Sequence, residues 1–513
     1  MRRIARPLGP VPLIVVLLGV AGLAMLVPSA LALAEGAAAL AGLFAKSALI
    51  VGAGAAVLGA ATMGYRPANP VQSAILSLVG AYLLLPPVMA LPLAEAMPEM
   101  GFADAWFEMV SAFTTTGASL LAPMPETPAA VHLWVGLVGW LGGFFVLLAA
   151  TALLAPLNLG GLEVANPRPV GRSAFGATPI HRGAEPSQRL WSQLKLMAPI
   201  YAALTLALWV LLLLAGDPPF PAAMHAMGIL STSGLSPVGG IEAMPSGRLG
   251  EAMMLAFLVF ALSRRTMPGA VQLDRGRGML RSELRDEELR LALALIVGLA
   301  LVITARNWIA AAGAGEGTAL GEAARSLWAA LFTLASFLTT TGYVAGDWEG
   351  KLAWAGLSAP ALLLAGVATV GGGVATTAGG IKLLRVFALY RHGRHEMERL
   401  LDPALVGGGG ERARHLRSDG AYLAWMAFML FVLSLAAVIA LLTAAGLRFE
   451  PAVVLAIAAL STTGPLVAIA GDMAPEFAVL GAGQRAILGA AMILGRLELL
   501  AVVALLAPEA WRR

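Results

Sequence analysis

Four short polar motifs interrupt an otherwise apolar chain, and they constrain its fold more than any other feature. They are Thr114-Thr115-Thr116-Gly117, Ser231-Thr232-Ser233-Gly234, Thr339-Thr340-Thr341-Gly342 and Ser461-Thr462-Thr463-Gly464. Three hydroxyl residues and a glycine, recurring at near-even intervals with no fifth copy, constitute an internal repeat. Each copy has the same surroundings. A long apolar segment comes first, then a shorter apolar stretch (102–113, 220–230, 323–338 and 449–460). The motif follows, then a loop with proline, glycine and acidic residues, then another long apolar segment.

Composition says what solvent surrounds these segments. The chain is 59% hydrophobic and only 12% charged, about half the charge of a soluble domain. Lipid is therefore the solvent. A helix crossing the bilayer needs about 20 apolar residues. Ten spans are predicted: 11–33, 38–60, 71–93, 130–153, 196–215, 248–265, 289–305, 354–385, 421–446 and 484–507. The first has a basic start and an Ala32-Leu33-Ala34-Glu35 end like a cleavage site, but its apolar run is too long for a signal peptide, so it is read as retained. Arg2, Arg3, Arg6, Arg66, the cations from Arg168 to Lys195, the runs from Arg264 to Arg290 and from Lys382 to Arg417, and Arg512 and Arg513 all fall on one side of the alternating topology. That side is cytoplasmic, with both termini on it. The other side carries acids such as Glu95, Asp104, Asp217, Asp347 and Glu476. Either they concentrate cations at an outer mouth, or they are what remains once the basic loops are sorted inward.

Several functions are excluded. The basic residues lie in short loops between apolar runs rather than in a folded patch, so no nucleic-acid partner is expected. The chain has no cysteine, hence no disulfide and no thiolate site. His392 and His395, with Glu396, sit in a charge-rich segment that reads as a solvated helix face rather than a metal site. An intramembrane hydrolase would need a histidine at membrane depth. His225 is the best candidate, but nothing near it in sequence suggests a base or oxyanion arrangement.

A segment of 10–14 apolar residues is a candidate re-entrant helix. Non-helical backbone inside a membrane is tolerated only where it lines a cavity or is buried in protein. Four re-entrant loops around one axis would aim backbone carbonyls at a common centre, and rings of carbonyls replace the hydration shell of a cation in selectivity filters. The glycine gives each loop access to dihedrals closed to other residues. The expected fold is an all-α membrane protein of four pseudo-symmetric helix–pore helix–filter–helix units around a central pore, preceded by a helix pair. Its segments are 1–66 (helix pair), 67–160, 190–266, 286–395 and 418–513.

The sequence resembles the TrkH/KtrB family of potassium-uptake proteins over nearly its whole length. Phe107-Glu108 with Ser111-Ala112-Phe113-Thr114-Thr115-Thr116-Gly117 is similar to the family's first pore segment, and Trp140-Leu141-Gly142-Gly143 to the helix after it. Thr339-Thr340-Thr341-Gly342-Tyr343 is similar to the third filter. Ser461-Thr462-Thr463-Gly464-Pro465 with Leu494-Gly495-Arg496-Leu497-Glu498, and Trp511 near the end, is similar to the fourth unit. The helix pair before the first unit resembles TrkH rather than the shorter KtrB.

The resemblance implies potassium as the transported ion, a homodimer in the inner membrane surrounded by lipid, and a cytosolic nucleotide-binding regulatory subunit like TrkA. It implies potassium at Thr115, Thr116, Gly117, Thr232, Ser233, Gly234, Thr340, Thr341, Gly342, Thr462, Thr463 and Gly464. Relatives with serine at the first filter glycine are associated with sodium. The second filter is less typical of the family, and residues 263–290 carry no family signature.

Two features suit a gate. Gly371, Gly372, Gly373, Gly379 and Gly380 fall within ten residues of one span, with Thr376 and Thr377 between them. Each glycine costs a helix about 1 kcal/mol relative to alanine, so the helix should break. The plainer reading is close helix packing through small residues. A phosphate loop is disfavoured, because the Gly-Lys-Ser/Thr ending is absent. In the family the matching segment is an intramembrane loop that gates the pore. Arg496 is expected about halfway along the last span, where an arginine is costly and marks function. The family's matching arginine faces the pore, and a structural ion pair is the other reading. Lys46 should snorkel, and Glu108 and His225 are expected to be structural or vestibular. The competing function is a cation-coupled carrier (potassium with sodium or protons). Carriers usually carry two repeats with a midplane site, whereas this chain has four.

Overall fold

The computed structural model describes residues 12–64, 70–155, 186–242, 244–264, 286–313, 320–348, 360–401 and 411–497. Arg2, Arg3, Arg6, Arg66, most of the cation run 264–290, Glu498 and Trp511 lie outside the described residues. Every regular element among the described residues is helical.

The chain opens with α1 (Leu13–Ala24) and α2 (Leu26–Ala34), two halves of one membrane-length segment, and returns as α3 (Ala38–Ala61). The turn between them is a glycine C-cap. Gly36 has φ 78°, and the Ala37 N–H bonds the Ala32 carbonyl at 2.8 Å. This pair leans on the rest through Phe44, edge-on to Trp134 at 6.2 Å, and through a Lys46–Glu95 ion pair at 3.5 Å. Lys46 thus reaches a carboxylate.

Four units follow. The first is α4 (Pro70–Ala96), the short α5 (Gly101–Phe113) and α6 (Ala129–Ala149), which runs on through a π turn at Ala150–Leu154. The second is α7 (Pro186–Leu214), α8 (Pro219–Ser231) and α9 (Gly247–Leu262). The third is α10 (Glu287–Gly313), α11 (Leu320–Leu338), α12 (Pro360–Val370) and α13 (Leu383–Leu401). The fourth is α14 (Glu411–Ala444), α15 (Phe449–Leu460), the single turn α16 (Leu466–Ala470) and α17 (Ala482–Arg496). The outer helices of the second and fourth units stop at Gly216 and Gly446, both at positive φ. Pro219, in the first turn of α8, then starts the short helix where a missing N–H costs nothing.

Seven described helices are long and apolar enough to cross a membrane, matching seven of the ten expected spans. The other three differ instructively. α9 has 16 residues, shorter than a full crossing, and α17 has 15, with residues 498–507 of the span expected at 484–507 lying outside the described residues. The span expected at 354–385 is divided by irregular backbone from Gly371 to Lys382. The short helices α5, α8, α11 and α15 each bury more than half of their residues, and the hydroxyl residues of the motifs at their ends are buried completely or nearly so.

Candidate ion-conducting site

All four short helices end the same way. The second hydroxyl residue of each motif is left-handed: Thr115 at φ 55°, Thr232 at 54°, Thr340 at 59° and Thr462 at 55°. Its N–H bonds the carbonyl three residues back (Ala112, Ile229, Phe337 and Ala459), at 2.9 to 3.2 Å. The next N–H, of Thr116, Ser233, Thr341 or Thr463, bonds the carbonyl five residues back, at 2.8 to 2.9 Å. This is a Schellman cap in which threonine stands where glycine is usual. A β-branched residue in that region is strained by about 1–3 kcal/mol.

The hydroxyls explain the motif. The first one of each motif donates to a carbonyl four residues back, at 2.7 to 3.0 Å. It also bonds the third hydroxyl at 2.8 to 3.2 Å. First and third are thus bound to each other, and the second stands outside that pair; in the second unit it donates to the Ser231 carbonyl at 2.7 Å. The repeat is fourfold in hydrogen bonding as well as in sequence.

The glycines bring the units together. A side chain at Gly117 would overlap the Ser233 carbonyl, and one at Gly234 would overlap the Thr341 carbonyl. One at Gly342 would strike Pro465, and one at Gly464 would strike the backbone of Gly117 and Ala118. Each glycine faces the next loop in order, and the fourth returns to the first, so the ring closes. The Gly464 N–H also donates to the Thr116 carbonyl at 2.6 Å. Gly117, Gly234 and Gly342 have positive φ, whereas Gly464 does not. The sequence reading gave the turn to the glycine. That holds at Gly117, Gly234 and Gly342; the threonine two positions earlier is left-handed as well, in all four units, and at Gly464 the absent side chain serves close approach alone.

A second irregular segment meets this ring. Between α12 and α13 the chain runs out and back. The Ile381 and Lys382 N–H groups bond the Thr369 and Val370 carbonyls, and Leu383 bonds Gly372, each at 3.0 Å. Gly371 and Gly380 lie against each other, so a Cβ on either would overlap backbone. Gly372 and Gly373 abut the Ala261 and Leu262 carbonyls, and Gly379 abuts Ser461 and Thr462. The tip touches the threonines: the Gly379 N–H donates to Thr340 Oγ1 at 2.7 Å. On its other side Gly373 N–H and Thr376 Oγ1 donate to the Ala261 carbonyl, at 3.0 and 3.1 Å, and Val374 N–H donates to Glu288 Oε1 at 3.0 Å.

Arg496 is the last residue of α17, and Leu497 beyond it is extended. This corrects the expectation of an arginine halfway along a continuous helix. A cation at a helix carboxyl end complements the dipole, and Gly495 packs against the Leu460 carbonyl, where any side chain would collide. The guanidinium donates to Thr115 Oγ1 and to the Thr377 carbonyl. A cavity of about 90 Å³ lies beside it, lined among others by Tyr82, Thr376, Lys382, Arg385 and Arg496. No group of three or more His, Cys, Asp or Glu among the described residues could hold a metal ion.

Comparison with known proteins agrees with this architecture. Residues 289–512 match the family model of TrkH, described as cation transport proteins. The chain is 28% identical over 429 residues to the Trk system potassium uptake protein TrkI of Halomonas elongata, covering 83% of this chain and 81% of that one. It is 27% identical over 440 residues to TrkH of Salmonella typhimurium, covering 84% of each. The crystal structure of the potassium transporter TrkH from Vibrio parahaemolyticus superposes with a TM-score of 0.77 over 98% of this chain and 99% of that one, at 24% identity, and has the same fold. The chain is thus similar over most of its length to Trk system potassium uptake proteins, and its residues 289–512 match the TrkH family of cation transport proteins.

Proposed function

We propose that this chain is the potassium-conducting membrane subunit of a Trk-type uptake system, a transporter and not an enzyme. The closed ring of four glycine-tipped loops is the observation that carries the reading. Backbone carbonyls of Thr115–Gly117, Thr232–Gly234, Thr340–Gly342 and Thr462–Gly464 replace the water of a dehydrated potassium ion. The membrane potential drives entry, worth about 2.3 kcal/mol per charge per 100 mV. The glycine loop 371–380 and Arg496 lie against the ring and close the path below it. A basic side chain at that depth repels a cation, and the loop occupies the space an ion would need.

The relatives' names bring a Trk system with them. The working unit is then a homodimer in the inner membrane with both termini cytoplasmic, partnered by a TrkA-like nucleotide-binding subunit. Its segments are those expected from sequence, with the helix pair outside the four pore units. Growth of a strain lacking its own potassium systems, on limiting potassium, tests the reading. Rescue together with potential-driven rubidium flux in proteoliposomes supports it. Well-expressed protein that neither rescues nor conducts overturns it, and flux that needs a sodium or proton gradient transfers it to a coupled carrier.

A further inference from the structure

The loops leaving the ring are held from behind at one recurring place. Glu108, His225 and Thr333 each stand nine residues before the glycine of their unit, on α5, α8 and α11. All three are completely buried. The Glu108 carboxyl accepts from Ser119 Oγ through Oε1 and from the Leu120 N–H through Oε2, each at 2.7 Å. His225 Nε2 lies 2.9 Å from Ser236 Oγ. Ser236 Oγ donates to the Gly240 carbonyl at 3.0 Å, so the ring nitrogen is the donor in that pair. Thr333 Oγ1 accepts from the Ala345 N–H at 3.2 Å. The bonded residues are in each case two or three positions beyond the glycine. The three side chains differ in chemistry and perform one act: they tie the outgoing strand of the loop to the helix that delivered it.

The fourth unit has Leu455 at this position, which makes no such bond. Its loop is held instead from across the ring. Pro465 lies against Gly234 and Gly342, and Gly464 N–H bonds Thr116. Neighbouring loops are also linked: Tyr343 O–H donates to the Leu235 carbonyl at 2.7 Å and stands edge-on to His225.

We infer that Glu108, His225 and Thr333 are positioning residues that set the spacing of the filter carbonyls, and through it the preference for potassium over sodium. The inference rests on the filter reading above and goes further by naming what fixes the ring's width. Ion choice depends on how many carbonyls reach the ion and how rigidly they stand. A loop fixed at its motif by the Schellman cap and again just past its glycine has little freedom to contract around a smaller ion. Glu108 makes two bonds and contributes most. The fourth loop has no brace of its own and depends on Pro465.

The experiment measures the potassium-to-sodium permeability ratio of purified protein in bilayers. Wild type and Gly117→Ser are included to test the filter reading itself. Glu108→Leu is expected to lower the ratio about tenfold, the equivalent of a net hydrogen-bond contribution. Glu108→Gln keeps an acceptor for Leu120 and is expected to stay within about twofold of wild type. Ser119→Ala and Thr333→Val each remove one bond with little change in volume, so they keep the test decisive even if Glu108→Leu fails to fold. Each should lower the ratio about threefold. A purely structural role would reduce the amount of protein and leave the ratio of what survives unchanged. A selective wild type whose ratio changes in Gly117→Ser and not in the brace variants overturns the inference and leaves the filter standing. A wild type without selectivity overturns both.

Discussion

The guanidinium of Arg496 donates to the hydroxyl of Thr115, a residue 381 positions earlier in the chain. The same nitrogen reaches the Thr377 carbonyl. One side chain thus fastens the first motif, the glycine loop and the last described helix at one point. A charge-assisted hydrogen bond contributes about 1.5–3 kcal/mol. Arg496→Ala should therefore raise rubidium flux in proteoliposomes by about tenfold or more. Arg496→Lys keeps the charge but loses the planar fork, and its flux should fall between the two. Equal flux in all three, at equal reconstituted amounts, would remove Arg496 from the gate.

Gly379 offers an independent approach to the same joint. A methyl group there would collide with the Ser461 carbonyl and the Thr462 hydroxyl, so Gly379→Ala must push the loop away from the ring. Flux should rise as in Arg496→Ala. The double variant should exceed the larger single effect by less than about twofold, because the two changes release one contact. Multiplicative effects would mean that the loop and the arginine act separately.

The side of the glycine loop away from the ring is anchored by Glu288, which accepts from Val374 N–H, close to where Ser263 meets Asp286. Glu288→Leu leaves a buried N–H unsatisfied, a cost of about 1–3 kcal/mol, and should increase leak in the absence of any regulatory subunit. Glu288→Gln preserves the acceptor and should behave as wild type. A leak of the same size in both variants would assign the effect to charge rather than to the bond.

Two threonines in equivalent left-handed positions should respond unequally to the same change. Thr340 Oγ1 accepts the Gly379 N–H, whereas Thr462 Oγ1 has no hydrogen-bond partner among the described residues. Thr340→Val should destabilise the detergent-solubilised protein by about 1–3 kcal/mol, and Thr462→Val by less than about 0.5 kcal/mol. Thermal unfolding followed by tryptophan fluorescence would separate them, and matching losses would contradict the bonding described.

Much of this architecture is legible in the amino-acid order, because a motif of four residues repeated in one context cannot be read as an isolated helix cap. Period and length place α5, α8, α11 and α15 within a few residues of where they lie. The clustering of Gly371 to Gly380 marks the broken helix, since no tertiary contact is needed to know that glycine weakens one. What escaped depends on packing. The left-handed threonines follow from the pairing of first and third hydroxyls, which composition does not reveal. Arg496 ends its helix where Gly495 meets Leu460, a contact between segments remote in sequence. Glu108, His225 and Thr333 share no chemistry, so only their common offset from the glycine could have linked them, and only once the units are aligned.

The ring of glycines also has a consequence for how the protein is made. The first loop contacts the second soon after both are synthesised, but its other neighbour is Gly464, near the end of the chain. During translation the loop around Gly117 therefore sits in the bilayer with one flank open until the fourth unit has left the ribosome. Truncated nascent chains should hold that flank accessible to chemical labelling. The earliest part of the circle to be inserted is the last to be enclosed.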